Sequence, residues 1–177
     1  MITVLRMGHR PQRDKRITTH VCLVARAFGA DSIIVDKPDE RLKETVDQVV
    51  QQWGGTFSVT FQPWRTVLKT WEGTIAHLTM YGLPLQEKIS EIRRLDHILV
   101  VLGAEKVPRA VFERADYNIS VTNQPHSEVA ALALFLDRYF QGTQLQKDFK
   151  GKLKIIPTER TKLFNNIANQ ERKAKII

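Results

Sequence analysis

The sequence predicts an α/β domain, a mostly parallel sheet flanked by helices. Apolar strand-like runs alternate with helical stripes as far as residue 140, and the links between them are short. Ile98–Leu102 is apolar at every position, which suits a central parallel strand buried on both faces.

Ile2–Leu5 reads as the first strand, followed by a polar, arginine-rich loop from Arg6 to Arg16. Thr18 or Thr19 is placed to cap a helix whose apolar face, Val21, Val24, Ala25 and Phe28, follows i, i+3, i+4, i+7 spacing. Gly29 is placed to end it. Ile33–Val35 is a second strand. Asp39 is a candidate N-cap for a helix burying Leu42, Val46, Val49, Val50 and Trp53, with Gly54 as its stop. Phe57–Phe61 is a strand, and Pro63 introduces a short helix with Trp64, Val67, Leu68 and Trp71 along its seam.

The same rhythm repeats. Ile75–Met80 is a strand, and Gly82–Pro84 turns into a helix carrying Leu85, Ile89 and Ile92. After the central strand, Pro108 opens a short helix through Val111, Phe112 and Ala115. Tyr117–Val121 is the last core strand. Ser127 caps a long helix with Val129, Leu132, Ala133, Leu136 and Phe140 on one face, readable either as core or as an interface. Residues 1–140 therefore read as one domain, and 141–177 as a basic extension with a short apolar patch at Leu153–Ile156.

The net charge of +8 in 177 residues is unevenly placed. Residues 1–20 hold five Lys/Arg against one acid, and residues 141–177 hold nine against three. The middle holds thirteen against fifteen. Basic ends around a near-neutral centre favour a polyanionic partner, although a solvated basic surface would read the same way. The single cysteine, Cys22, lies in an apolar stretch, excludes an internal disulfide and fits a cytoplasmic protein. No apolar run approaches the roughly 18 residues of a membrane span, and the amino terminus lacks signal-peptide organisation.

Several function classes lose support through missing motifs. G-x-G-x-x-G, G-x-x-x-x-G-K-[ST] and G-x-S-x-G do not occur, against a common dinucleotide turn, a P-loop NTPase and a nucleophile elbow. His9, His20, His77, His97 and His126 form no H-x-x-x-H pair and have no cysteine partners, so no metal site is expected. Asp36 and Asp39 read as turn and cap residues. Two strand-end segments remain, Gly103-Ala104-Glu105-Lys106-Val107-Pro108 and Thr122-Asn123-Gln124-Pro125-His126-Ser127, where open α/β sheets bind ligands.

Those segments lie within Leu99–Pro108 and Ile119–Arg138. A third stretch runs from Arg6-Met7-Gly8-His9-Arg10 through Arg13-Asp14-Lys15-Arg16-Ile17-Thr18-Thr19-His20-Val21 to Ala25–Ala30, and a fourth is His77-Leu78-Thr79-Met80-Tyr81-Gly82-Leu83. Together they resemble the archaeal tRNA cytidine-56 2′-O-methyltransferases, a family of the SPOUT class, over residues 1–140. The resemblance implies a trefoil knot in the carboxyl-terminal part of the domain, a homodimer, tRNA as partner and S-adenosylmethionine as cofactor. It places the cofactor against Leu83, against Gly103, Ala104, Glu105, Lys106 and Val107, and against Ile119, Ser120, Val121, Thr122, Asn123, Gln124, Pro125 and His126. Leu83 and Val107 would flank the adenine, and Gly103 would let backbone approach it.

The implied reaction is in-line methyl transfer to a ribose 2′-hydroxyl, so the protein must align the reactants and help the hydroxyl lose its proton. Ribose-methylating SPOUT enzymes carry an arginine within the first helix. Here Leu23 stands near that place, and Arg26 lies on another face. The resemblance therefore shifts the catalytic role to Arg16, then Arg13, with His20 as an alternative base. The arginines would serve equally as clamps on tRNA phosphate. Methylation at another RNA position and a non-catalytic RNA-binding module remain open alternatives.

Overall fold

β1 (Ile2–Met7) is buried along its whole length, and its side chains divide between two cores. Ile2 and Val4 join one cluster, whereas Leu5 and Met7 join the other. β5 (Ile98–Gly103) repeats this division, with Ile98, Val100 and Leu102 on one face and Leu99 and Val101 on the other. This is the signature of a sheet covered on both sides. The structure, a computed structural model, describes residues 1–103 and 106–166.

The other strands of the main sheet are β2 (Ser32–Val35), β3 (Ser58–Phe61), β4 (Thr74–Pro84) and β6 (Tyr117–Ser120). Their spatial order is β3-β2-β1-β5-β4-β6, and all pairs are parallel. One face is covered by α1 (Lys15–Ala27), α2 (Glu40–Trp53), α4 (Leu85–Ile92) and α6 (Glu128–Phe140). The opposite face is covered by α3 (Trp64–Thr70) and α5 (Arg109–Arg114).

Two boundaries near the amino terminus differ from expectation. β1 continues through Arg6, whose backbone stays in register with Val35 and Leu102. Its charge is accommodated by an ion pair to Glu128, so the basic residue does not end the strand. α1 begins at Lys15 rather than at a Thr18 or Thr19 cap. The Asp14 carboxylate accepts from the Arg10 backbone and guanidinium, and Arg10 O accepts from the backbone N–H groups of Arg13 and Asp14. That turn starts the helix one turn early. Thr18 is buried instead, with its hydroxyl 2.9 Å from His9 Nδ1.

The remaining helix signals behave as the sequence indicates. Gly29 (φ 94°) ends α1, with Ala30 N donating to Ala25 O at 2.9 Å and Gly29 N to Arg26 O at 3.4 Å. Asp39 caps α2 by accepting from Leu42 N at 3.0 Å, and Ser127 caps α6 by accepting from Val129 N at 3.1 Å. In α2 only Leu42 and Val46 are fully buried. Trp53 is half-buried because it faces the carboxyl-terminal segment, with its ring 6.3 Å from that of Phe164.

β4 is longer than Ile75–Met80 and carries an irregularity. Leu78 and Leu83 both stand opposite Ile119, so Thr79–Gly82 leave the ladder and rejoin it. Gly82 makes the return possible: a Cβ there would lie 2.5 Å from the backbone of Asn118 and Ile119. β6 ends at Ser120, one residue before the expected Val121.

Beyond α6, a short 3-10 turn (Thr143–Gln146) leads to an antiparallel hairpin, β7 (Leu153–Ile156) with β8 (Leu163–Asn166). The expected apolar patch is thus one arm of a two-stranded sheet. The segment is tied to the end of α2, where Gly55 N donates to Phe149 O at 2.9 Å and Gly54 bridges to Lys150. Arg26 stacks 4.6 Å from the Phe149 ring centre. The basic residues after Asn166 lie outside the described residues. Among the described residues, no helix is long and apolar enough to cross a membrane.

Candidate active site

The carboxyl ends of β4 and β5 open on a cleft of about 680 Å³. Thr79, Met80 and Tyr81, from the β4 excursion, form one wall. Gly103, Lys106 and Val107, after β5, form the other. His77, Leu78, Leu102 and Phe112 contribute further lining, and His126, Glu128 and Ala131 bring the start of α6 into the same space. This is where an open α/β sheet holds a ligand.

A neighbouring cleft of about 570 Å³, lined by Gly82, Leu83, Lys88, Tyr117, Asn118 and Ile119, shares Tyr81 with the first. The candidate cofactor residues are distributed between these surfaces. Gly103, Lys106, Val107 and His126 line the first cleft; Leu83, 54% exposed, and Ile119 line the second. Leu83 and Val107 thus stand on two clefts that meet at Tyr81. Ser120 is buried, and Val121 borders an apolar groove with Leu85, Ile89 and Leu134. Thr122, Asn123, Gln124 and Pro125 form an exposed link, anchored by Asn123 Nδ2 donating to Met80 O at 2.6 Å. Within that link, Gln124 N donates to Thr122 Oγ1 at 3.3 Å, and His126 Nδ1 donates to Gln124 O at 2.6 Å. Ala104 and Glu105 lie outside the described residues.

Some of the buried polar atoms without a hydrogen-bond partner lie on the strands that lead to this end of the sheet. They include Arg6 Nε on β1, His77 Nε2 on β4 and Ser120 Oγ on β6. Buried polar atoms are ordinarily paired, so such atoms at a ligand-binding edge are open positions for a ligand or water. Apolar surface from Leu78, Leu102, Val107 and Phe112 lies in the same cleft. Apolar walls with a few convergent polar groups match what an adenosyl ligand needs, a slot for the flat base and partners for its edge and ribose. The residues fit S-adenosylmethionine. Among the described residues, no group of three or more His, Cys, Asp or Glu could hold a metal ion.

The arginine-rich loop is built separately. Gly8 N and His9 N donate to the Asp36 carboxylate at 2.7 and 3.0 Å. His9 is buried between Thr18 Oγ1 at 2.9 Å and Asp39 Oδ2 at 3.2 Å, which ties the loop to α1 and to the start of α2. The Arg10 guanidinium holds the Asp14 carboxyl below its ordinary range. Arg13 is exposed before α1. Arg16 and His20 are exposed four residues apart on α1, hence on one face. None of the three lines the cleft of its own chain. Cys22 is buried and its thiol is pushed up to about 12 by burial, which makes it a core residue and not a nucleophile.

Sequence reasoning passed over Arg6, His77 and Glu128. Arg6 is 1% exposed and pairs with Glu128 at 3.0 Å, and burial lowers the guanidinium's pKa against the pull of Glu128. The available signals were a basic residue directly extending an apolar strand and a histidine inside the run Ile75-Ala76-His77-Leu78. A polar group inside a strand buried on both faces needs a partner, and that partner marks the site.

Residues 53–165 match the family described as tRNA ribose 2′-O-methyltransferase, aTrm56. The tRNA (cytidine(56)-2′-O)-methyltransferase of Methanothrix thermoacetophila is 59% identical over 166 residues, covering 92% of this chain and 95% of its own. The enzyme of the same name from Picrophilus torridus is 57% identical over 97% of this chain, which spans half of that longer protein. Among solved structures, the SpoU methyltransferase AviRb of Streptomyces viridochromogenes in complex with AdoMet has a TM-score of 0.55 at 14% identity, covering 80% of this chain and 57% of its own. That likeness concerns the fold. The matched residues and the level of identity decide the family: the chain belongs to the tRNA ribose 2′-O-methyltransferases of the aTrm56 family.

Proposed function

We propose that this protein transfers the methyl group of S-adenosylmethionine to the ribose 2′-hydroxyl of cytidine-56 in tRNA. The observation that carries the reading is the strand-end cleft, whose walls come from Thr79, Met80 and Tyr81 and from Gly103, Lys106 and Val107, and whose lining includes His77 with its unpaired Nε2. When bound, the cofactor supplies an activated methyl group. The chain's residues then have to hold the donor, present the hydroxyl in line, keep competing water out and accept a proton.

Arg16 is the residue proposed to assist proton removal, with Arg13 beside it and His20 on the same helical face. Arginine is a weak base, so the role requires a phosphate-coupled setting such as a tRNA backbone would create. Because these residues do not line the cleft of their own chain, the reading includes a homodimer in which the partner's cleft meets this loop. Ala130, Leu134 and Arg138 form an exposed stripe at four-residue spacing on α6, and Leu134 borders the groove of Leu85, Ile89 and Val121. That stripe is the proposed dimer face, since Leu132, Phe135 and Leu136 are already buried in the chain's own core.

The reading also includes a trefoil knot, supported by the start of α6 lining the same cleft as the β4 excursion and the residues after β5, and by Asn123 Nδ2 donating to Met80 O. Residues 141–177 form a basic extension of the catalytic domain. In its described part, Lys147, Lys150, Lys152, Lys154, Arg160 and Lys162 suit phosphate contact. The setting is the cytoplasm, where tRNA is the substrate. A tRNA carrying 2′-deoxycytidine at position 56 tests the acceptor atom. The reading requires that it accept no methyl group, and undiminished incorporation would place the methyl on a base or elsewhere.

A further inference from the structure

We propose that His77 is a dedicated hydrogen-bond acceptor for the nucleoside half of the bound S-adenosyl ligand, its neutral Nε2 taking an N–H or O–H donor from the adenine amine or the ribose. The inference rests on the cofactor reading above and assigns a side-chain contact within it.

The tautomer follows from the neighbours. Asn118 Nδ2 donates to Phe112 O at 2.9 Å, which fixes the amide orientation and turns Asn118 Oδ1 towards His77. Oδ1 has no hydrogen to give, so His77 Nδ1 must carry the proton in their 2.8 Å hydrogen bond. The flipped amide would set two carbonyl oxygens against each other. A second proton on Nε2 would create an imidazolium that is 0% exposed, packed against Asn118 and Phe112 and, among the described residues, in no ion pair with a carboxylate. Burial correspondingly lowers the His77 pKa, only partly opposed by the Asn118 hydrogen bond. His77 is therefore the neutral Nδ1–H form, and Nε2 bears a lone pair.

Among the described residues, that lone pair has no donor. Phe112 meets the imidazole edge to face at 4.7 Å, which supplies packing and no hydrogen-bond donor of useful strength. An orphaned buried acceptor is costly to keep, and its cost is recovered only when a donor arrives. His77 lines the strand-end cleft, so a ligand there is the available source. Leu78, Leu102, Val107 and Phe112 give the cleft apolar surface for the neutral nucleoside, whereas Lys106 and Glu128 in the same lining suit the charged amino-acid half.

The test uses the full chain, S-adenosylhomocysteine as probe and calorimetry as readout, without catalysis. His77→Phe removes the acceptor while keeping an aromatic ring, and its thermal melt reports folding. The proposal requires about tenfold weaker binding. It also requires that an analogue lacking either the exocyclic amine or a ribose hydroxyl lose affinity in the wild type and lose none further in the variant. In ¹⁵N-histidine-labelled wild type, the unprotonated Nε2 signal of His77 should move upfield on ligand binding, an observation that holds even if the variant fails to fold. An unmoved signal overturns the proposal, as does coupling that disappears only when the amino-acid half is absent. Failure of the wild type to bind the probe at all sinks the cofactor reading with it, and is distinguishable because no variant is involved.

Discussion

Arg6 Nη2 stands 3.0 Å from Glu128 Oε1, joining the carboxyl end of β1 to the first residue of α6. The side chains are unequal in setting, 1% exposed for Arg6 and 25% for Glu128. The pair fixes the helix entry that brings Glu128 and Ala131 into the cleft, so an electrostatic contact in the core shapes the binding site.

The asymmetry predicts unequal mutants. Glu128→Gln leaves a buried guanidinium without its counter-charge and should cost about 3 kcal/mol in denaturant unfolding. Arg6→Met fills much of the same volume and leaves a carboxylate that water can reach, so it should cost less. Equal or reversed losses would show that Arg6 is stabilised mainly by other contacts.

Arg16→Ala should lower kcat by about 100-fold, the scale of a lost proton-transfer group. Its melting temperature and S-adenosylhomocysteine affinity should stay at wild-type values, because Arg16 is exposed and off the cleft. Arg13→Ala, as a phosphate contact, should instead raise KM for tRNA and reduce the salt dependence of binding. An unchanged kcat in Arg16→Ala, with a large loss in His20→Ala, would move the base to the histidine.

The hairpin's position depends on Gly54. Its φ is +79°, and a Cβ there would lie 2.1 Å from Phe149 O and 2.5 Å from Gly151 N. Gly54→Ala should therefore displace the hairpin from α2, destabilise the protein and weaken tRNA binding, while cofactor affinity is preserved. Limited proteolysis near Phe149 and filter binding of tRNA would measure both effects. Unchanged tRNA affinity after displacement would remove the hairpin from the RNA-binding surface.

His77 also predicts a pH signature. Its folded pKa lies below the ordinary 6.5, so the unfolded chain binds a proton first as pH falls. The stabilising effect is complete above pH 6.5 and is lost as pH falls through the folded value. The stability of wild type relative to His77→Phe should be constant above that point and fall below it. A gap independent of pH would mean that the imidazole is not held neutral.

The layered fold was legible because strands buried on both faces and one-sided helices leave strong periodic patterns, as in Ile98–Leu102 and in the Leu132–Leu136 stripe. Cap residues such as Asp39 and Ser127 were legible for the same local reason. The start of α1 was not, because Asp14 is fixed by Arg10 in a turn that competes with the threonine signal. Strand-end loops around Gly103 and His126 could be named as site candidates, yet the division of Leu83 and Val107 between two clefts depends on the β4 excursion. Arg6 and His77 were hidden because their significance lies in partners remote in sequence, Glu128 and Asn118.

The most direct measurement is transfer of labelled methyl from S-adenosylmethionine to an unmodified tRNA transcript, followed by digestion and mass-spectrometric mapping of the methylated nucleotide. One methyl per tRNA is expected, on the ribose of cytidine-56. Methylation of a base or of another position, or tRNA binding with no transfer, would contradict it.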